Sequence, residues 1–349
     1  MSSTRIERRK NIVQQKRAAK RRRKKSPFKI GLIVLTFLIA LIGYGVFQYY
    51  SGYISASGDN DLSSTNGKGE EENSFNGVED LDKINVLILG IDSGPEDNGR
   101  TDTLMIAQYD PETGTAKLAS IMRDSYVSIP GYKDNKINSA FSLGGPELVR
   151  KTVKENFGID VQYYASVNFD GFTQVVDVLS PDGVNIDVEK KMKYTDRAGG
   201  LYINFQPGLQ KLNGKELLEY ARFRHDAESD FGRVRRQQQV IAAIKDELIS
   251  INGIAKLPKM LGTAQPYIDT NLGSKTLLAL GTNFLMNKKD IETIRIPIDG
   301  AFENKRYSHA GAVLEIDRKK NKQALQDFFS STQVVSEEVS MNEIAADVQ

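Results

Sequence analysis

No cysteine occurs anywhere in the 349 residues. That removes disulfides, a thiolate nucleophile and thiolate metal ligands together. Histidine is almost as scarce: His225 and His309 are the two present, which argues against a histidine-rich metal centre or a Ser-His-Asp triad. Neither a G-x-S-x-G elbow nor a Walker P-loop appears in the chain. A domain of this size that is exported without disulfides relies on its hydrophobic core alone. That suits the outer face of a bacterial membrane better than a eukaryotic secretory route.

Charge is present but unevenly placed. Residues 1–29 carry thirteen Lys/Arg and one acid, Glu7, a net of +12. Residues 30–50 carry none, and because the whole chain sums to +2, everything after Tyr50 sums to −10. The uncharged stretch, IGLIVLTFLIALIGYGVFQYY from Ile30 to Tyr50, is twenty-one residues long, and as a helix it would span roughly 30 Å, the thickness of a bilayer's hydrocarbon core. A signal peptide has a shorter apolar core followed by a small-residue cleavage site. This run instead ends in Phe47, Tyr49 and Tyr50, which suit an interfacial aromatic belt. The expectation is a basic cytoplasmic tail (1–29), a single-pass transmembrane anchor (30–50), a flexible extracellular linker (51–80) rich in Ser, Gly, Asn and acids, a folded domain (81–330) outside the cell membrane, and a polar tail (331–349).

Within the domain, Ile84–Leu89 is a continuous apolar run typical of a strand buried on both faces. Leu104–Tyr109 and Lys117–Ile121 flank a DPETG turn and predict a hairpin. Pro146–Phe157 and Asp170–Leu179 predict amphipathic helices; Tyr163–Asn168, Val184–Val188 and Ile291–Pro297 predict strands; Asn213 predicts an N-cap. Strands alternating with helices indicate an α/β fold, a three-layer α/β/α sandwich around a central mixed β-sheet.

Four polar clusters stand at strand ends or helix starts. Asp92 follows the first strand and Asp102 opens the next, with Arg100 between them; two hard oxygen ligands beside phosphate oxygens would make an Mg²⁺ site. Arg123 ends the strand Lys117–Ile121 and is followed by Asp124, an arrangement that reads equally as a surface ion pair. Lys136 and Asn138 form the third cluster. The fourth, RFRHDAESDFGRVRRQQQ, packs Arg222, Arg224, Arg233, Arg235 and Arg236 around three acids and a glutamine run. So many guanidiniums suggest phosphate or pyrophosphate recognition, because the planar fork matches phosphate oxygens two at a time. A helix is expected after Gly232, with Arg233, Arg236 and Gln237 on the same stripe as Val240, Ile241, Ile244 and Leu248. Arg235 lies about 200° round that helix from Arg233 and is expected to face away.

The blocks GIDSGPEDNGRTDTLM, SIMRDSYVSIPG, KINSAFSLGGPELV, VNFDGFTQVVDVL and LNGKELLEYARFRHDAESDFGRVRRQQQVI, in that order, resemble the signature blocks of the LytR–CpsA–Psr family. Within it, the chain is most similar to staphylococcal members described as regulators or attenuators of envelope stress. The resemblance implies a phosphotransferase that moves an anionic glycopolymer, such as wall teichoic acid, from an undecaprenyl-pyrophosphate carrier to peptidoglycan. Carried over motif by motif, it implies Mg²⁺, with Mn²⁺ as a substitute, at Asp92 and Asp102. It implies pyrophosphate held by Arg100, Arg123, Lys136, Asn138, Arg222, Arg224, Arg233 and Gln237, with Arg123, Asp230 and Arg233 acting in catalysis. The helices 146–157, 170–179 and 232–250 would wall a slot for the lipid tail, although core packing is the ordinary use of such faces. Partners would be the lipid-linked polymer, peptidoglycan and membrane lipids, with no nucleic acid. A transcriptional attenuator, a polyprenyl-pyrophosphate binding module and a pyrophosphatase remain alternatives on the residues alone. The orientation is testable: a reporter fused after Gln349 should be active only if it functions outside the membrane, and activity of a cytoplasm-only reporter there would reverse the topology.

Overall fold

A computed structural model describes residue 40 and residues 43–56, 75–79, 81–91, 101–197, 201–287 and 289–331. The expected anchor therefore falls largely outside the described residues, as do Asp92, Arg100 and the polar tail from residue 332. No helix among the described residues is long and apolar enough to cross a membrane. Residues 43–56 form a helix, α1, so the first six residues of the expected linker are helical.

The centre is a six-stranded mixed sheet. It comprises β1 (Ile84–Ile91), β2 (Thr101–Asp110), β3 (Thr115–Ile121), β6 (Tyr163–Asn168), β11 (Ile268–Thr270) and β12 (Ile291–Ile296) in the order β11-β6-β1-β2-β3-β12. The predicted β2–β3 hairpin is present, turning at Gly114, whose positive φ of 68° favours a residue without Cβ. β1 is parallel to β6, and β3 is parallel to β12, whereas β2 is antiparallel to both β1 and β3. The C-terminal ends of β1, β3, β6 and β12 thus share one edge of the sheet with the N-terminal end of β2. In α/β folds that edge is where ligands bind.

Alternation along the strands sends two sets of side chains to two faces. Leu87, Leu89, Leu104, Ile106, Ala119 and Ile121 pack into one core against Val149, Val153 and Phe157 of α2 (Ser139–Phe157) and Leu325 and Phe329 of α8 (Arg318–Ser330). The opposite face meets α5 (Ser229–Ile249), whose Gln237 donates to the Thr103 hydroxyl at 2.9 Å and whose Gln238 donates to the Ser120 hydroxyl at 3.1 Å. α2 is two helices joined at Gly144 and Gly145, both non-helical. Pro146 opens the second, which is the helix the sequence predicts and the position proline favours.

A second core lies beneath two hairpin-like pairs that the sequence reading did not find beyond their first strand. β7 (Val184–Val188) pairs with β10 (Gly208–Leu212), and β8 (Met192–Asp196) with β9 (Leu201–Phe205). Their inward residues pack on α3 (Phe169–Leu179) and α4 (Gly214–Arg222). α4 begins with the capping box expected at Asn213, closed by Glu216. The apolar faces of α2 and α3 are spent on these two cores through Val149, Val153 and Val176, so those three residues do not line a lipid slot. A four-stranded sheet completes the domain: β13 (Phe302–Tyr307), β14 (Gly311–Ile316), β4 (Ser125–Val127) and β5 (Asn135–Lys136). α6 (Ile251–Ala264) and α7 (Ser274–Asn287) stand on the side of α3 and α5.

The short β4 segment is held by Asn156 of α2. Its buried side chain accepts from the Ser128 amide at 3.0 Å and donates to the Ser128 and Thr152 carbonyls at 2.7 and 2.8 Å. Asn156→Ala leaves those backbone groups unpaired and should cost about 2 kcal/mol. Urea unfolding of the variant checks this; an unchanged midpoint would show that water replaces the amide without loss.

Candidate functional site

The sheet edge gathers its polar residues by topology. Asp102 is the second residue of β2, and Arg123 and Asp124 follow β3. Lys136 ends β5, which pairs with β4, and Asn138 precedes α2. The Asn138 backbone fastens two of these segments: its N–H donates to the Arg123 carbonyl at 3.3 Å, and its carbonyl accepts from the Thr101 hydroxyl at 3.5 Å. α5 brings Asp230 in its first turn and Arg233 one turn on.

Arg123 is the hub. Its Nη1 pairs with Asp102 Oδ1, while its Nε lies 3.5 Å from Asp124 Oδ2 and 3.7 Å from Asp230 Oδ2. Lys136 Nζ holds Asp124 Oδ1 at 2.7 Å, and Arg233 Nη2 stands 3.5 Å from Asp230 Oδ1. Arg233 is 5% exposed. Its Nε, the Arg123 Nε and Asp230 Oδ1 are buried and make no hydrogen bond to the described residues. Buried polar atoms are ordinarily satisfied, so three such atoms within one cluster mark a place built to meet a ligand.

Burial and neighbouring charge divide the acids. Burial would raise Asp124, but hydrogen bonds from Lys136 and Asp230 and the Arg123 guanidinium hold it below the usual carboxylate range. Burial does raise Asp230, overcoming Arg233 and Arg123, with the hydrogen bond to Asp124 adding to the rise. Like charges so close oppose joint ionisation, so of the two carboxyls Asp230 releases its proton at the higher pH. Burial also lowers Arg233, assisted by the charges of Arg123 and Arg224 and opposed by Asp230. Burial opposes the charge of Arg123 too, but Asp102 and Asp230 outweigh it and raise its pKa.

The arginine-rich segment does not act as one cluster. Arg236 is fully buried, held by Asp226 at 2.9 Å and the Phe223 carbonyl. Arg235 faces away as expected and pairs with Glu189 and Glu228. These two have their own acids and need no external anion. Arg222 lies over the Phe169 ring at 4.5 Å, at the end of β6. Arg224 is exposed on the loop beyond α4 and within electrostatic reach of Arg233. The helix starts at Ser229 rather than after Gly232, since Asp226 Oδ1 accepts from the Glu228 and Ser229 amides and caps the turn.

Of the expected site residues, Asp102, Arg123, Lys136, Asn138, Asp230 and Arg233 come together. Gln237 stands one turn beyond Arg233, turned to Thr103. Asp102, expected as a metal ligand, is engaged by Arg123. Among the described residues, no group of three or more acids or histidines is arranged to hold a cation. Asp124 was missed as a site residue. Its signal was the acid directly after a strand-end arginine, which an ion-pair reading had absorbed.

The arrangement can bind a doubly charged anion and exchange a proton with a group beside it. Arg233→Lys keeps the charge but loses the fork, so binding of inorganic pyrophosphate should weaken ten- to a hundred-fold, as for one lost charge-assisted contact of roughly 1.5–3 kcal/mol. Arg235→Lys should be nearly silent. Calorimetric titration and thermal unfolding of both variants check this; equal affinities would strip Arg233 of its role.

A model described as the LytR_cpsA_psr family matches residues 47–326. The regulatory protein MsrR of Staphylococcus aureus (strain COL) is 42% identical over 290 residues, covering 82% of this chain and 85% of that protein. The polyisoprenyl-teichoic acid–peptidoglycan teichoic acid transferase TagU of Oceanobacillus iheyensis is 32% identical over 304 residues, covering 84% of this chain and 92% of that protein. Among solved structures, B. subtilis TagV matches with a TM-score of 0.59 and 30% identity over 72% of this chain and 98% of that one. TagT bound to LIIa-WTA matches with a TM-score of 0.56 and 29% identity over 72% of this chain and 92% of that one. These structures share the mixed α/β fold with its central mixed sheet. By sequence, order of motifs and fold, the chain belongs to the LytR–CpsA–Psr family.

Proposed function

We propose that the protein is a membrane-anchored transferase that moves an anionic glycopolymer of the teichoic acid type from a polyprenyl-pyrophosphate carrier to peptidoglycan. The observation that carries the reading is the cluster of Arg123, Arg233 and Asp230 at the sheet edge, where two buried donors and one acceptor make no hydrogen bond to the described residues. The transferase name of the TagU relative and the structure of TagT bound to LIIa-WTA support it. The regulator name belongs to relatives of higher identity, and a regulatory effect is compatible with a change in wall assembly.

In this reading Arg123 and Arg233 hold the pyrophosphate, with Arg100, Arg224, Lys136 and Arg222 around it. The acceptor hydroxyl of peptidoglycan gives its proton to the Asp230 carboxylate, whose raised pKa suits it to proton exchange, and attacks the phosphorus nearer the glycopolymer. The bridging P–O bond breaks, a phosphodiester forms, and polyprenyl monophosphate leaves. The guanidiniums stabilise charge gathering on the equatorial and leaving oxygens, which is the larger part of the work in phosphoryl transfer. Asp102 meets Arg123 through Oδ1; a carboxylate is the hard-oxygen donor a divalent cation uses, and Asp92, outside the described residues, is the second donor that the family motif implies. Mg²⁺ bound there would neutralise phosphate charge.

The test is incubation of the full chain, in lipid, with a synthetic polyprenyl-pyrophosphate glycan, peptidoglycan oligomers and Mg²⁺. A phosphodiester-linked product is expected. Asp230→Asn should retain inorganic pyrophosphate binding while transfer falls about a hundred-fold or more, the usual contribution of a positioned acid–base group. No linked product from the wild type would leave the regulator or binding-module readings in its place.

A further inference from the structure

Helix α1 packs on the domain through backbone. Gly52 and Ala56 are both buried, four residues apart on one face, the small-xxx-small spacing that lets helices approach closely. A Cβ added at Gly52 would strike the Lys259 carbonyl oxygen and fall 3.0 Å from the Thr263 amide of α6. Reciprocally, a Cβ at Gly262 would strike the Tyr49 carbonyl oxygen and fall 3.1 Å from the Tyr53 amide. Two glycines on facing helices are thus each required by the other's backbone. The Tyr49 hydroxyl donates to Gln265, and the Tyr267 hydroxyl donates to the Ala56 carbonyl at 3.4 Å. The other side of α1 is apolar and uncovered: Phe47 is 68% exposed and Ile54 66%, with Tyr44, Val46 and Tyr50 exposed beside them.

The crossing begins where the uncharged run ends. Tyr49 touches Gly262, and Ala56 lies six residues past Tyr50, about 9 Å along a helix. The headgroup layer on each side of a bilayer is of similar depth. α6 in turn packs on α3 and α5. α5 carries Asp230 and Arg233, and α3 begins at Phe169 beneath Arg222. A continuous packed path therefore joins α1 to the phosphate-binding edge.

We propose that α1 is a rigid strut: the anchor helix leaves the bilayer, locks onto α6 through the Gly52–Gly262 crossing, and holds the site at a fixed height and orientation against the lipid headgroups. The proposal rests on the membrane-anchored transferase reading. The domain then does not sample the surface on a loose tether. It meets a membrane-embedded pyrophosphate already aligned, so the ordering cost is met once, by folding, rather than at each turnover. The exposed aromatic and aliphatic face of α1 lies against lipid, in the position that amphipathic aromatic rings favour.

The full chain in phosphatidylglycerol–phosphatidylethanolamine nanodiscs tests this by hydrogen exchange across residues 43–56 and by turnover of two donors, a long-chain donor in the bilayer and a short-chain water-soluble one. The wild type should show slow exchange over 49–56. Gly52→Leu, and separately Gly262→Leu, should speed that exchange at least tenfold and lower long-chain turnover about tenfold, leaving short-chain turnover unchanged. Gly45→Leu, whose added side chain meets open space, should do neither. Because Gly52 lies before the domain, retained short-chain turnover reports an intact fold. Fast exchange in the wild type, unchanged exchange in Gly52→Leu, or equal loss with both donors would overturn the strut. Protected α1 with neither donor consumed by the wild type would remove the transferase reading and leave the docking intact.

Discussion

The site depends on one guanidinium. Arg123 reaches three carboxylates that come from β2, from its own strand end and from α5. Asp124 neighbours Arg123 in the chain, Asp102 stands across the β2–β3 hairpin, and Asp230 comes from a distant helix. Without the cation at the centre, Asp102, Asp124 and Asp230 would repel one another in a half-buried space where charge is poorly screened. The pairing also fixes what each acid does. Asp124, braced by Lys136 as well, is held below the usual carboxylate range, and Asp230, in the first turn of α5, is raised above it. Two chemically identical side chains are thereby set to different tasks by where they stand.

The proposed anion site, interleaved with carboxylates, looks self-defeating until release is considered. A cage of arginines alone would hold a polyanion in ground state and transition state alike, which gains affinity without rate. Acids beside the guanidiniums offset part of that uniform attraction and keep the planar donors oriented. Arg233 illustrates the compromise: it is nearly buried, has one loose contact to Asp230, and presents a buried Nε that no described residue accepts from.

The sequence made the order of the central strands' residues legible where local pattern and tertiary burial agree. The apolar run at Ile84, the hairpin around Asp110–Gly114, the capping residue Asn213 and the helix from Pro146 all correspond to observed elements. β8, β9 and β10 are not legible because they are five residues each and alternate with polar outward positions such as Lys193, Asn204 and Lys211, so their alternation emerges only against the second core. The arginine-rich segment was legible as chemistry but not as geometry. Spacing separates Arg233 from Arg235, yet it cannot show that Arg236, on the same stripe as Arg233, is claimed by Asp226 and Phe223 from the preceding loop. Asp124 was hidden for the converse reason: an Arg-Asp dipeptide is commonplace, and its meaning comes from Lys136 and Asp230, which are distant in sequence.

The sheet order bears on how the molecule is made. β3 finds its outer neighbour in β12, whose Ile291 lies opposite Ala116, some 175 residues later in the chain. β1, β2 and β3 can zip together early as antiparallel neighbours, but the free edge of β3 stays open until nearly the whole domain has emerged. Closing so distant a pair is slow because chain entropy must be given up first. An open apolar strand edge invites pairing with another chain. A newly made copy therefore passes through an interval in which the strand that delivers Arg123 offers an open edge to other chains, and crowding at the site of emergence becomes a hazard that the finished structure no longer displays.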